Sequence, residues 1–415
     1  MTADRTRAWV LWGVTRLIVV LLLRGAEHGA ILDVHYYAES LAGLGEHGLA
    51  GTMPEYPVPA LLVLAAPYGL LHVLGLGGLY VGSIVTLALA LDAWFLAMLL
   101  RTGRSTPVWA WLAATPALGV ISYARFDLLP GVLVAAALLG LAGAPRRAGV
   151  LGVLATGVKY SPGLVLPGLA APAAGRARVI LSGAVAGIVL IGVSVAVGGW
   201  DRLLSPLRYQ EDRGLQIESI SATPAMIRWA FSPDDYRVFY PSSKAWEIHG
   251  PGTDVLLLAS GVASGLLLVG LIGLWAWAWR RLRDADDGVT VVVWLTLAAV
   301  SAFIVSGKVL SPQYLLWVLP VACAGLALVG ERDRRGLARW TAVLLVVAAL
   351  THLIFPLGYS YLLAHSARSD VMIVVLVVRN LLLVGLCVTA FAATVRSLRA
   401  VRRRPTDPVA TRASA

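Results

Sequence analysis

Apolar stretches of bilayer-spanning length recur from residue 8 to residue 392, broken by short polar segments. A helical crossing of the hydrocarbon core needs about 20 mostly apolar residues. The pattern therefore predicts an all-α polytopic membrane protein whose membrane domain, residues 1–395, is nearly the whole chain and leaves no separate soluble catalytic domain. The predicted spans are 8–23, 79–100, 107–121, 128–143, 148–158, 161–172, 179–197, 256–276, 289–305, 312–329, 340–356 and 371–392, about twelve crossings. Segment 8–23 follows Arg5 and Arg7 as a signal peptide would, but no small-residue cleavage site comes after it, and it is kept as the first helix.

Arginine placement orients these spans. Clusters at Arg101/Arg104, Arg146/Arg147, Arg176/Arg178, Arg280/Arg281/Arg283, Arg332/Arg334/Arg335/Arg339 and Arg396 to Arg404 all fall on the cytoplasmic side of a plasma membrane if the spans alternate between them. Both termini are then cytoplasmic. The outer face carries two long loops, 24–78 and 198–255, and short apices near 122–127, 157–161, 306–311 and 357–370. Segments 148–158 and 161–172 are short for spans, and Gly157, Lys159 and Pro162 break a helix in mid-hairpin, which a bilayer tolerates only where protein or water covers the backbone. Segment 57–75 has Pro57, Pro59 and Pro67 and is expected near the interface or dipping partly in. Loop 198–255 is expected to hold a short helix around 221–230 and a hairpin, Asp235 to Tyr240 against Lys244 to His249, around Pro241-Ser242-Ser243. The arginine-rich tail 396–415 is expected to be cytoplasmic and disordered.

Composition agrees. Mean hydropathy is +0.78, with 58% hydrophobic and 14% charged residues, against about 25% charged in soluble domains. The net charge of +11 does not imply a nucleic-acid partner, because nearly all the arginines sit between apolar stretches and report topology. Cys323 and Cys387 lie inside apolar segments, which favours core filling over a disulfide or a thiolate metal site. No His/Cys/Asp/Glu spacing suggests a metal, and no glycine-rich phosphate loop or Gly-x-Ser-x-Gly elbow occurs. No metal or organic cofactor is expected.

Chemistry is therefore sought on the outer face, where all three lysines fall: Lys159, Lys244 and Lys308. Two share a setting, Val158-Lys159-Tyr160-Ser161-Pro162 and Lys308-Val309-Leu310-Ser311-Pro312. A charge at a helix centre in the membrane costs about 2.5–3.5 kcal/mol, so it needs a partner or a task; an anionic ligand supplies one, and snorkelling to the interface is the plainer alternative. Asp33, just beyond the first span, is placed to take a proton from an acceptor hydroxyl, or else to cap the helix from Val34. His35 beside it either binds phosphate or lines the interface. Asp127 can pair with Arg125 or a distant base. Arg213 to Ser219, with Gln216 and Glu218, holds the groups that recognise sugar hydroxyls and phosphate, or forms a solvated ion-paired loop. His352 and Tyr359 to His365 line the last apex.

Taken in order, Asp33, Glu55-Tyr56-Pro57-Val58-Pro59, Arg125-Phe126-Asp127-Leu128-Leu129-Pro130, Lys159-Tyr160-Ser161-Pro162, Arg213 to Ser219 and Lys308-Val309-Leu310-Ser311-Pro312-Gln313-Tyr314 give the chain a likeness to a known group. It resembles the GT-C superfamily of membrane glycosyltransferases, and most closely the polyprenol-phosphate-mannose-dependent glycosyltransferase family 87 of actinobacteria. The resemblance implies a polyprenyl-phosphate sugar as donor, with mannose favoured, a glycolipid or glycan acceptor, inversion at the anomeric carbon and a catalytic aspartate in the first outer loop. Carried onto this chain, Asp33 is the general base; Lys159, Lys308, Arg213 and His35 are candidates for the donor phosphate; Asp127, Arg125, Gln216, Glu218, Tyr56, Gln313 and Tyr314 are candidates for sugar or acceptor. The family's Tyr-Pro-Pro after the first loop reads Tyr56-Pro57-Val58-Pro59 here, a departure at those contacts. A transporter, flippase or ligase of lipid-linked saccharides is the competing reading, since charges and broken helices also suit a translocation path.

Overall fold

In the computed structural model, which describes residues 2–211, 213–241, 244–283, 288–364 and 367–401, the chain is helical almost throughout. α1 (Thr2–Arg24) leads into a connection carrying α2 (Leu32–Ala42), α3 (Leu44–Gly51) and α4 (Val58–Val73). α5 (Tyr80–Arg101), α6 (Ser105–Leu118), α7 (Leu128–Gly140), α8 (Pro145–Val158) and the single turn α9 (Leu166–Leu169) follow. The long α10 (Arg176–Glu211), bent at Gly199, opens the second large connection, which holds α11 (Thr223–Phe231) and a two-stranded antiparallel hairpin, β1 (Arg237–Phe239) and β2 (Glu247–His249). α12 (Thr253–Arg281), α13 (Val289–Ser306), α14 (Leu315–Leu328), α15 (Glu331–His352), the short α16 (Tyr359–Leu363) and α17 (Ala367–Ala400) complete it. The helix and hairpin expected in loop 198–255 are both present; Ser242, Ser243 and His365 lie outside the described residues.

Among the described residues, seven helices are long and apolar enough to cross a membrane: α1, α5, α10, α12, α13, α15 and α17. Helices α4, α7 and α14 are apolar but shorter. At 1.5 Å per residue the fourteen residues of α8 reach about 21 Å, short of a core about 30 Å thick. The segment expected to span at 161–172 is instead a 3-10 turn, Ser161–Val165, followed by α9. Pro162, Pro167 and Pro172 each lack a backbone donor, and a continuous helix cannot form through them. α17 continues past Arg396 to Ala400, so the expected tail starts inside a helix; residues 402–415 lie outside the described residues.

The centre of the bundle is α13 and α14, almost every residue of which is buried. α10 and α12 lie at the periphery and expose Leu181, Val185, Ile188, Leu258, Leu266 and Val269, the surface a hydrocarbon phase solvates. Glycines set the closest approaches. A Cβ on Gly131 of α7 would lie 1.9 Å from the Leu316 carbonyl oxygen of α14, and one on Gly149 of α8 would lie 2.2 Å from the Val179 carbonyl of α10. Such contacts replace the hydrophobic effect as the packing force between helices in lipid.

The connections segregate into two ends. At one, Arg104 donates to the Val329 carbonyl, Ser182 to the Arg146 carbonyl, and Arg176 to the carbonyls of Ala170 and Trp279, gathering the arginine clusters. At the other, Arg202 clamps the carbonyls of Leu49, Thr52 and Met53, and Ser205 that of Pro54, joining the two long connections.

Candidate functional site

The short segment Arg125-Phe126-Asp127 organises the end where the long connections meet. It follows the turn closing α6, where Gly119 at φ +70° passes so close to His352 that a Cβ would lie 2.3 Å from its ring. Arg125 is almost fully buried and donates to the carbonyls of Ala30 and Ala124 at 2.6 and 2.8 Å, and its Nε lies 2.7 Å from Oδ2 of Asp33. Two residues on, fully buried Asp127 takes Lys159 Nζ at 2.9 Å and Trp317 Nε1 at 3.1 Å on Oδ1. Asp127 thus pairs with the distant base, and Arg125 with Asp33. Asp33 sits within the first turn of α2, whose N-cap is Ile31; the capping role considered for it is not the one it has. Its carboxylate is about two-fifths exposed.

Lys159 extends where α8 ends, because Lys159 itself is extended and Pro162 prevents the helix from resuming. Its ammonium stands 5.1 to 5.4 Å from the ring centres of Tyr56, Phe126 and Trp317, a cage that partly replaces lost hydration. Tyr56 is buried edge-on against Phe126 and Tyr37, and Tyr314 stacks on Trp317 with ring centres 4.2 Å apart.

Beside this cage lies a cavity of ≈ 580 Å³ lined by Lys159, Ser161, Arg213, Lys308, Tyr314 and Trp317, among others, with Glu55 and Glu211 also on its wall. Among the described residues, buried Arg213 Nε and Ser161 Oγ have no hydrogen-bond partner, and unsatisfied buried donors of this kind call for a ligand or water. Lys308 Nζ donates to the Glu211 carbonyl at 2.9 Å. An adjoining apolar groove of ≈ 390 Å³, lined by Val153, Leu190, Ile191 and Leu203, shares Pro57, Tyr160 and Leu207 with the cavity. A cation-bearing cavity thus adjoins an apolar groove.

Segment 213–219 is held between two elements. Ile217 N–H donates to the Trp246 carbonyl and Ile248 N–H to the Leu215 carbonyl, beside β2, while Gln216 N–H donates to the Lys308 carbonyl and Gln216 Oε1 accepts from Leu310 N–H. Gln216 therefore positions the segment bearing Lys308. Glu218 is buried beneath it and touches Arg379 of α17 at 3.4 Å. Burial pushes the Glu218 carboxyl up to about 7, outweighing the opposing effect of Arg379. Gln216 and Glu218 do not line the cavity. Gln313 accepts the Ser311 hydroxyl at 2.6 Å and is likewise off its wall, and His35 is exposed on the other side of α2 from buried Val34 and Tyr37.

Asp33 is not in the cavity wall, yet one electrostatic neighbourhood spans both. Burial raises the Tyr240 phenol; Asp33 adds to that, while Arg125 and Arg213 oppose it. Sequence reasoning missed several charged groups that shape this end and the bundle below it. Arg202, Arg379 with Asn380, and the His352–Glu27 pair at 2.8 Å are three. The fourth is a membrane-embedded pair, Arg16–Asp92 at 2.9 Å, with Trp111 and Tyr123 also donating to Asp92. The signal was available for Arg16, Asp92 and Arg379, since ionisable residues within apolar spans need partners.

Residues 55–312 match the family model described as glycosyltransferase family 87. The matched stretch, well over half of the chain, contains Tyr56, Arg125, Asp127, Lys159, Arg213, Gln216, Glu218 and Lys308; it begins after Asp33 and ends just before Gln313. No curated protein and no solved structure matches the chain.

Proposed function

This chain belongs to glycosyltransferase family 87, and from that premise we propose that it transfers a monosaccharide, mannose first, from a polyprenyl-phosphate donor to a hydroxyl of a glycolipid or glycan acceptor. It is a membrane-embedded transferase. The single observation that carries the donor assignment is the cation-bearing cavity lying against an apolar groove with which it shares wall residues. A nucleotide sugar has a large polar leaving group with no use for such a groove, whereas a phosphate on an isoprenoid chain matches both parts.

In this reading Asp33 takes the proton from the acceptor hydroxyl as its oxygen bonds to the anomeric carbon from the face opposite the leaving group. The bond from that carbon to the phosphate oxygen breaks, and its electron pair leaves on the polyprenyl phosphate. Negative charge grows on the phosphate in the transition state, so cations already in place there lower the barrier; Lys159, Arg213 and Lys308 are assigned that task. Arg125 holds Asp33 in position, and Tyr314 and Tyr56 shape the sugar's surroundings. Arginines gathered at the opposite end support a cytoplasmic location for that end and both termini, and an extracytoplasmic site. Ten crossings, with α8 and the broken 161–169 segment as a re-entrant hairpin between them, keep every arginine cluster on that face.

The test is donor choice. Purified protein in nanodiscs should transfer labelled mannose from polyprenyl-phosphate mannose and not from a nucleotide-linked mannose. Transfer from the nucleotide donor alone would reject the assignment, and vesicle transport of a lipid-linked saccharide with no transfer would favour a flippase.

A further inference from the structure

A second polar pocket, of ≈ 400 Å³, opens between the two long connections. Tyr36, Glu39 and Ser40 of α2 line it, with Glu55, Tyr209 near the end of α10, and Lys244 from the hairpin connection. Asp33, Tyr36 and Ser40 are three and four residues apart, which puts them along one face of α2. Glu55 lines both this pocket and the cation-bearing cavity. Asp33 does not itself line this pocket, but it shares a helix face with two residues that do, and Glu55 joins the pocket to the cation-bearing cavity.

Its chemistry differs from that of the donor cavity. Two carboxylates, Glu39 and Glu55, face one ammonium and the His47 ring and disfavour an anion, and the ammonium of Lys244 is drawn over the Tyr36 ring, 3.3 Å from its centre. The Tyr36 hydroxyl donates to Glu55 Oε1 at 2.6 Å, which fixes one carboxylate oxygen. Lys244 adopts φ +56°, a left-handed conformation unusual for a non-glycine residue and concentrated at sites where surrounding structure enforces it. The two carboxylates would also disfavour a lipid chain. What they accommodate is a neutral polyol: carboxylate oxygens and the Ser40 hydroxyl accept from ring hydroxyls, and a tyrosine face packs against the sugar's C–H surface.

We propose that this pocket binds the inner sugars of a neutral oligosaccharide acceptor whose terminal hydroxyl reaches Asp33. The proposal rests on the assignment of Asp33 as the acceptor-side base; its test does not depend on the donor. Linear tetrasaccharides of mannose, glucose and arabinose, and the matching methyl monosaccharides, are titrated without donor into full-length protein in nanodiscs. At least one tetrasaccharide should bind about tenfold or more tightly than its monosaccharide. Tyr209→Ala and Glu39→Gln, made separately, should each remove that advantage; Glu39 is exposed, so its variant guards against loss of fold. Equal affinity of every tetrasaccharide and its monosaccharide, or an advantage surviving both substitutions, would overturn the proposal. Failure of polyprenyl-phosphate mannose to act as donor would leave this result intact.

Discussion

Lys159 meets one carboxylate, Asp127, and three aromatic rings while still facing the cavity, so its charge is held in place before any ligand arrives. Arg213, whose buried Nε has no partner among the described residues, has more to gain from a phosphate. Arg213→Ala should therefore lower kcat/KM for the lipid donor by about 10²-fold, most of it in kcat if the contact strengthens as the phosphate departs; a change confined to KM would mean ground-state binding alone. Glu218 gives a pH prediction. Its folded pKa of about 7 lies above the ordinary 4.5, so the folded state holds the proton more tightly than the unfolded state. Its contribution is full below about pH 4.5 and is lost as pH rises through about 7. Thermal denaturation in detergent should show stability falling over that window in the wild type, and Glu218→Gln should flatten the fall. Asp33 and Lys159 stand out in the sequence as candidates because charge beside apolar spans is costly, and Arg213 because of the polar inventory of its loop. Their partners were not, since Arg125 could have served either Asp33 or Asp127, and nothing local to the chain decides between them.

Elements with strong periodicity were read nearly to the residue. Segment 79–100 became α5 and 289–305 became α13, because a bilayer imposes both length and apolarity on a crossing. The same rule misled at 161–172, where composition was apolar but three prolines forbid a regular helix. Close packing was invisible in another way: α7 meets α14 at Gly131, whose missing side chain is what allows contact. Gly131→Ala should cost about 2 kcal/mol or more, since the added carbon meets backbone that cannot step aside; a detergent-melting experiment showing an unchanged midpoint would refute that packing. The polar inventory of 213–219 suits either recognition of sugar and phosphate or a solvated ion-paired loop. The segment is held by β2 and the stretch bearing Lys308, contacts distant in sequence, which bury Gln216 and Glu218 and leave Arg213 on the cavity wall.

At the scale of the whole molecule, loops far apart in sequence gather at one end with Arg125, Arg202 and Arg213, and the short arginine clusters between apolar helices gather at the other. Cys323 and Cys387 are buried, which makes introduced cysteines clean reporters. A cysteine at exposed position 35 should react with an impermeant maleimide on intact cells, and one at exposed position 101 only after permeabilisation; the reverse pattern would invert the topology. The central claim is that Asp33 deprotonates the acceptor in transfer from a lipid-linked sugar. The most direct measurement is incorporation of radiolabelled mannose from polyprenyl-phosphate mannose into membrane glycolipid or glycan, by wild type and Asp33→Asn protein in nanodiscs. Transfer by the wild type, reduced about 10³-fold or more in a variant that still binds donor and melts normally, is the predicted result. Undiminished transfer by Asp33→Asn would contradict the account.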